Sequence, residues 1–213
     1  MRGPYDALTR LGAHYERHLA ERQRAYELEL GWSVGELQFP RLISPTEPPG
    51  EIGGEFWPAL LLSVTGTPVS QLLDQDPLGT AEDPRPSQTW EVTYTVRTEV
   101  LVSATRPDVV DRWRYGQMTA VRETLLAHRV LDDEQAERAP AVVRPPFTEQ
   151  VDDVGGGDNR VAYTRGLVQV GLSVVEVLYG TPGIPVSRID VGAHVVGLDQ
   201  ELPPRWHPAD GPP

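Results

Sequence analysis

The chain contains no cysteine, which excludes disulfide bonds and thiolate metal sites and fits a reducing compartment. It contains no lysine either, so all 19 basic residues are arginine. Without lysine, the run Gly155-Gly156-Gly157 cannot belong to a phosphate-binding P-loop. Arginine in place of lysine, beside abundant alanine, glycine and proline, follows the codon usage of a GC-rich genome and says nothing about mechanism. No apolar run approaches the ~20 residues that cross a bilayer, and Met1-Arg2-Gly3-Pro4-Tyr5-Asp6 lacks the basic-then-apolar pattern of a signal peptide. The expectation is a chain that is neither membrane-embedded nor exported by that route. Basic residues are also outnumbered: the formal net charge of −12 argues against tight binding to a nucleic-acid backbone, which requires a basic stripe.

What is present is proline and glycine, 21 and 20 residues in a chain of 213, and they cluster. Such clustering predicts long loops around a modest core. An apolar share of 39% with 23% charged residues suits one folded domain. From Pro4 to about Leu30, residues Leu8, Leu11, Tyr15, Leu19 and Tyr26 recur every three or four positions, interrupted by Arg22. This is an amphipathic helix, with Pro4 in its first turn and Gly31 as a left-handed C-terminal cap. Residues 38–56 form a proline- and glycine-rich linker, Trp57 to Thr65 a buried strand, and residues 67–88 a second long loop.

The strongest pattern lies in Trp90 to Val102, where even positions are apolar or aromatic and odd positions mainly Glu, Thr and Arg. Alternation sustained this long means a strand with one buried and one wet face. A helix follows to about Arg129, opened by Pro107 and a capping box of Thr105 and Asp108. It places Val110, Trp113, Gln117, Val121 and Leu125 inward, and Asp111, Arg112, Arg114, Arg122 and Glu123 outward. Residues 132–159 form a third polar loop, and Arg160 to Tyr179 a second long strand with a bulge or change of environment near Glu176. A last strand runs from Val186 to Val195. The predicted fold class is α+β: an antiparallel sheet of about four long strands packed against two helices, with proline-rich loops and arms. Residues 1–197 form the single domain and 198–213 a proline-rich tail.

No catalytic constellation emerges, and the chain reads as a non-enzyme without metal or cofactor. His14 and His18 have metal-ligand spacing, but Tyr15 stands where a zincin motif needs Glu, so they read as a solvated helix face. Asp152, Asp153, Asp158 and Asn159 around three glycines match no calcium-loop spacing and read as a hairpin tip. No Gly-x-Ser-x-Gly turn is present. Asp190 and His194 share a predicted strand as a structural pair, and Trp57, Trp90 and Trp113 read as core. Two very long strands with proline-rich excursions exceed the needs of one small core, and uncovered strand edges of this length invite partners.

In its leading helix, in Trp57-Pro58-Ala59-Leu60-Leu61-Leu62, in Trp90-Glu91-Val92-Thr93-Tyr94-Thr95-Val96-Arg97, and in the helix Asp108 to Leu126 with its following strands, the chain resembles the tail terminators of long-tailed phages or phage-like particles of actinobacterial type. The resemblance covers residues 5 to 197 and is one of element order and pattern. It implies a virion protein of the tail or neck, assembled in the host cytoplasm. Its copies, six by the resemblance, would form a ring that caps the tail tube and joins it to the head–tail connector or head-closure protein. Genomic DNA would pass without specific binding, repelled by an acidic lumen whose candidate residues are Glu91, Glu99, Asp152, Asp153 and Asp158. The alternatives are another neck or tail component and a non-viral binding module with a strand-lined pocket.

Overall fold

The computed structural model describes residues 3–45, 54–66, 68–76, 85–104, 106–131, 139–152 and 162–179. The predicted strand Val186 to Val195, the turn before it, the tail, and Asp153, Asp158, Asp190 and His194 lie outside the described residues. The fold is α+β. Helix α1 spans Gly3–Glu29 and α2 spans Pro107–Ala127. Seven strands, β1 (Leu42–Ser44), β2 (Ala59–Val64), β3 (Val69–Asp76), β4 (Ser87–Ala104), β5 (Val130–Leu131), β6 (Ala141–Asp152) and β7 (Ala162–Tyr179), form one sheet.

The order across the sheet is β1-β2-β4-β7-β6-β5, with β3 also paired to β4. The sheet is mixed: β1 runs parallel to β2 while the other pairs are antiparallel. Its spine is the β4–β7 pair, in unbroken register from Ser87↔Tyr179 to Ala104↔Ala162. The opposite edge of β4 is shared: β2 pairs with Val96 to Leu101, and β3 with Ser87 to Thr93.

The alternation in β4 is realised as expected. Val92, Tyr94, Val96, Thr98, Val100 and Val102 are all buried. All but Thr98, which meets the Tyr15 hydroxyl at 3.1 Å, join Leu60 and Leu62 of β2, Val168, Val170, Leu172 and Val174 of β7, and the inward faces of both helices in one core. Leu8, Leu11, Tyr15 and Leu19 supply the α1 stripe, and Val110, Met118, Val121 and Leu125 the α2 stripe. On the opposite face, which carries no α-helix among the described residues and is called helix-free below, a small cluster of Ala59, Leu61 and Leu101 gathers Leu42 and Trp57. Gly31 adopts φ 67°, the left-handed cap expected of it. Trp57, Trp90 and Trp113 pack against these clusters yet stay half-buried.

Several expectations are corrected. Three regions expected to be loops contain strands: β1 lies in 38–56, β3 in 67–88, and β6 in 132–159. β6 carries Pro145 and Pro146 at the interruption of its pairing between Arg144 and Thr148, where proline has no N–H to donate to the ladder. The helix cap at α2 is Arg106, which makes no side-chain capping bond; its guanidinium instead reaches the Asp108 carboxylate at 2.5 Å, holding that carboxyl below its ordinary pKa. Arg114 is buried rather than outward, bonded to the Thr164 hydroxyl and paired with Asp111 at 3.0 Å.

There is no bulge at Glu176. The register is continuous, and Glu176 stays on the core face in line with Leu172 and Val174. Its carboxylate accepts a 2.6 Å hydrogen bond from the buried Tyr94 hydroxyl, which explains an acidic residue at an apolar position.

Burial raises the phenol pKa of both Tyr15 and Tyr94 well above the usual value, and the neighbouring Glu176 carboxylate raises that of Tyr94 further. The folded chain therefore keeps protons that the unfolded chain releases above about pH 10. Stability is undiminished by these groups below that pH and falls as pH rises beyond it, by up to ~1.4 kcal/mol per pH unit for each phenol. Urea denaturation at increasing alkalinity should show this decline, and Tyr94→Phe should flatten it. An unchanged slope would contradict the assignment.

Two glycines give opposite expectations. A Cβ on Gly166 of β7 would lie 2.3 Å from Met118 Sδ and 2.6 Å from its Cγ, so α2 seats on the sheet where no side chain intervenes. A Cβ on Gly12 of α1 would make ordinary contacts of 3.6 Å with Leu62 and 3.7 Å with Ile43. Gly12→Ala should stabilise by about 0.5–1 kcal/mol through helix propensity, whereas Gly166→Ala should destabilise by about 1–3 kcal/mol. Thermal denaturation of the two variants tests both signs.

Candidate functional site

Four features could carry function. The first is the helix-free face of the sheet, which presents the odd positions of β4 and β7. Here Glu91 lies in a shallow dish of about 300 Å³ with Val69, Gln71, Thr93, Arg144 and Ser173. Its carboxylate takes a 3.0 Å hydrogen bond from Arg144 across the sheet, and the Thr93 and Ser173 hydroxyls meet at 2.6 Å. Glu99 is 8% exposed, gripped by the Arg97 guanidinium and 3.6 Å from that of Arg165. Asp152 ends β6 opposite Arg165. Of the five predicted channel acids, then, Glu91 and Glu99 share one face, and each is partnered by arginine. The local balance on this face is mixed rather than acidic, which sequence charge counting did not reveal.

The second feature is a cleft of about 180 Å³ between the loop after α1, the end of β4 and α2, with Gln38, Arg41, Trp57, Ser103, Trp113 and Gln117 on its walls. Its geometry is set by a buried polar network. The Gln38 carbonyl accepts from Gln117 Nε2 at 2.6 Å and from Gln23 Nε2 at 3.3 Å, while Gln23 Nε2 also bonds Gln117 Oε1 at 2.8 Å. Glu27, 2% exposed, accepts the backbone N–H groups of Gly35 at 2.8 Å and Leu37 at 2.6 Å. The outer side of the same loop is clamped by Trp32, which lies under the Arg112 guanidinium at 4.4 Å, while Arg112 pairs with Glu36. The Trp113 indole nitrogen is buried with no hydrogen-bond partner among the described residues. A planar group suits this cleft: the indoles offer a face, and Arg41 offers charge.

The third feature is β3. Seven of its eight residues are exposed, including Val69 at 73%, Leu72 at 41% and Leu73 at 50%. One edge of β3 bonds β4, and among the described residues no strand bonds the other. Tyr179, 53% exposed under Arg85, stands at the same end of the sheet. This is an apolar, half-paired edge strand of the type that recruits another chain.

The fourth is a histidine cluster. His14 is 3% exposed and His18 half-buried, so the expected solvated face is corrected. Both pack against His128, the residue capping α2. No local signal in the sequence could have named His128, because only the docking of α1 on the end of α2 brings it there. As they stand, no three His, Asp or Glu side chains among the described residues are set to hold a metal ion.

Among the described residues no helix is long and apolar enough to cross a membrane. No protein-family model matches the chain, and no curated protein matches it.

Proposed function

We propose that this chain is a structural ring subunit of the tail-terminator kind, which caps a tail tube and joins it to the head–tail connector. The observation that carries the reading is β3, an exposed edge strand with three outward apolar side chains, which suits joining copies through their sheets. The ring would sit in the virion tail or neck after assembly in the host cytoplasm, with the tail tube protein and the head-closure protein as neighbours. A head-closure or tube-associated role differs from this only in those neighbours. Mixing the purified protein with tail tubes tests it: electron microscopy should show one tube end capped and growth arrested. Bare tubes would overturn the proposal.

The net charge of −12 supports a lumen that DNA slides through without sticking. Glu91 is the acid to test. Its ion pair with Arg144 leaves the two side chains 29% and 51% exposed, so losing it costs about 0–1 kcal/mol and particles should still assemble. Glu91→Lys should slow DNA ejection; unchanged ejection kinetics would remove Glu91 from the lumen. Glu99 is a poorer choice, because reversal there would set a third cation beside Arg97 and Arg165 in a buried place.

One observation favours a second reading, a binding module that works as a monomer. The cleft between Trp57 and Trp113 has the aromatic walls and convergent polar groups of a small-ligand site.

A further inference from the structure

We propose that the cleft between Trp57 and Trp113 binds a small planar organic anion, a single aromatic ring bearing a carboxylate, and that Arg41 takes the carboxylate. This rests on the reading of that cleft as a small-ligand site, and a ring subunit can carry such a site as well as a monomer can.

Charge is the first reason. The chain holds 31 acidic residues against 19 arginines, and arginines elsewhere in the fold are neutralised where they stand. Arg97, Arg112, Arg122 and Arg144 each meet a carboxylate. Arg41 does not. Its exposed guanidinium donates from Nη1 to the Glu55 backbone carbonyl at 3.2 Å, and among the described residues no carboxylate pairs with it. No acidic side chain lines the cleft among the described residues either. A guanidinium stays protonated at every physiological pH, and its planar fork of N–H groups matches a carboxylate. The backbone fixes where that charge stands: the Arg41 N–H donates to the Pro58 carbonyl at 2.8 Å, so cation and Trp57 indole come from two segments bonded to each other.

Size and wall chemistry supply the ring. A cleft of about 180 Å³ compares with the ~150 Å³ cavity that holds one benzene molecule. One ring with a small substituent fits, and a fused pair does not. Trp57 and Trp113 are half-buried, and with Pro58 and the buried Val102 they give the cleft apolar walls on which a planar ring stacks. The polar wall is already ordered. Gln117, 2% exposed, holds the Gln38 carbonyl at 2.6 Å, and Gln23 bonds both of them. Binding therefore freezes few side chains, the condition under which a small ligand is held at all.

The test titrates the full chain near neutral pH with benzoate, with benzyl alcohol as its neutral counterpart and with benzylamine as its cationic one. Calorimetry reads affinity, and the indole N–H resonances read location. Benzoate should bind with a dissociation constant of about 0.1–1 mM, the range open to a ligand of this size. Benzyl alcohol should bind at least about 10-fold more weakly, by loss of the charge-assisted hydrogen bonds, and benzylamine more weakly still. The resonances of Trp57 and Trp113 should move, while that of Trp90, at the far end of β4, stays in place. Arg41→Gln, at an exposed position, should fold, bring benzoate down to the level of benzyl alcohol, and leave benzyl alcohol unchanged. Equal binding of benzoate and benzyl alcohol, or undiminished benzoate binding in Arg41→Gln, would overturn the anion assignment and leave a ligand cleft standing. If no probe moves Trp57 or Trp113 up to ~20 mM, far above the expected dissociation constant, the assignment falls together with the ligand-cleft reading.

Discussion

Glu27→Ala should destabilise the protein by about 3–4 kcal/mol, more than any surface substitution on α1. The carboxylate is 2% exposed and accepts two backbone N–H groups, from Gly35 and from Leu37. Hydrogen bonds to a charged acceptor contribute ~1.5–3 kcal/mol each, and a buried donor left without a partner costs a further ~1–3 kcal/mol. Leu37 is only 3% exposed, so water does not readily replace the lost acceptor. The better helix propensity of alanine returns only a few tenths of a kcal/mol. Glu27→Gln keeps one acceptor and should lose about half as much. The damage should reach the cleft, because Gln38, which takes hydrogen bonds from Gln23 and Gln117, ends the loop that Glu27 anchors. Urea denaturation gives the magnitude, and amide exchange at Leu37 gives the location. A loss below ~1 kcal/mol would show that the loop is held by Trp32, Arg112 and Glu36 instead.

The double substitution Val69→Lys with Leu72→Lys should leave the fold intact and abolish self-association. Both side chains are exposed, at 73% and 41%, so stability should change by no more than about 0.5 kcal/mol. Buried against a second copy, two such side chains contribute about 3–5 kcal/mol, or roughly 150- to 5,000-fold in affinity at each interface. Lysine on an edge strand also repels its own copy and blocks strand addition. Circular dichroism should match the parent while sedimentation shifts to the monomer. A variant that still assembles would place the interface elsewhere.

The sequence made the spine of this fold legible because period-two alternation acts on every residue of a long strand. Trp90 to Val102 needed no tertiary information, and neither did the stripe from Leu8 to Leu19. The strands that escaped notice lacked that signal for physical reasons. β3, exposed on both faces, has no buried face to impose alternation, and its Val-Ser-Gln-Leu-Leu-Asp-Gln-Asp reads as loop. β6 carries Pro145-Pro146 in its middle, a breaker in any sequence reading. β1 is three residues long and is held by pairing with β2.

The candidate sites were less legible still, because they depend on meetings between distant residues. Glu27 bonds a loop, His128 joins His14 and His18, and Glu99 finds Arg165; none of these follows from spacing. Glu176 is the instructive case. In place of the bulge expected there, an acid is kept on the apolar face by one tyrosine hydroxyl.

The most direct test of the ring reading is the mass of the purified chain in solution, by light scattering or sedimentation equilibrium over a range of concentrations. A closed assembly at a fixed multiple of 23.5 kDa, six copies on the resemblance drawn from the sequence, is the predicted result. A strict 23.5 kDa monomer at every concentration, which also leaves tail tubes uncapped, would contradict it.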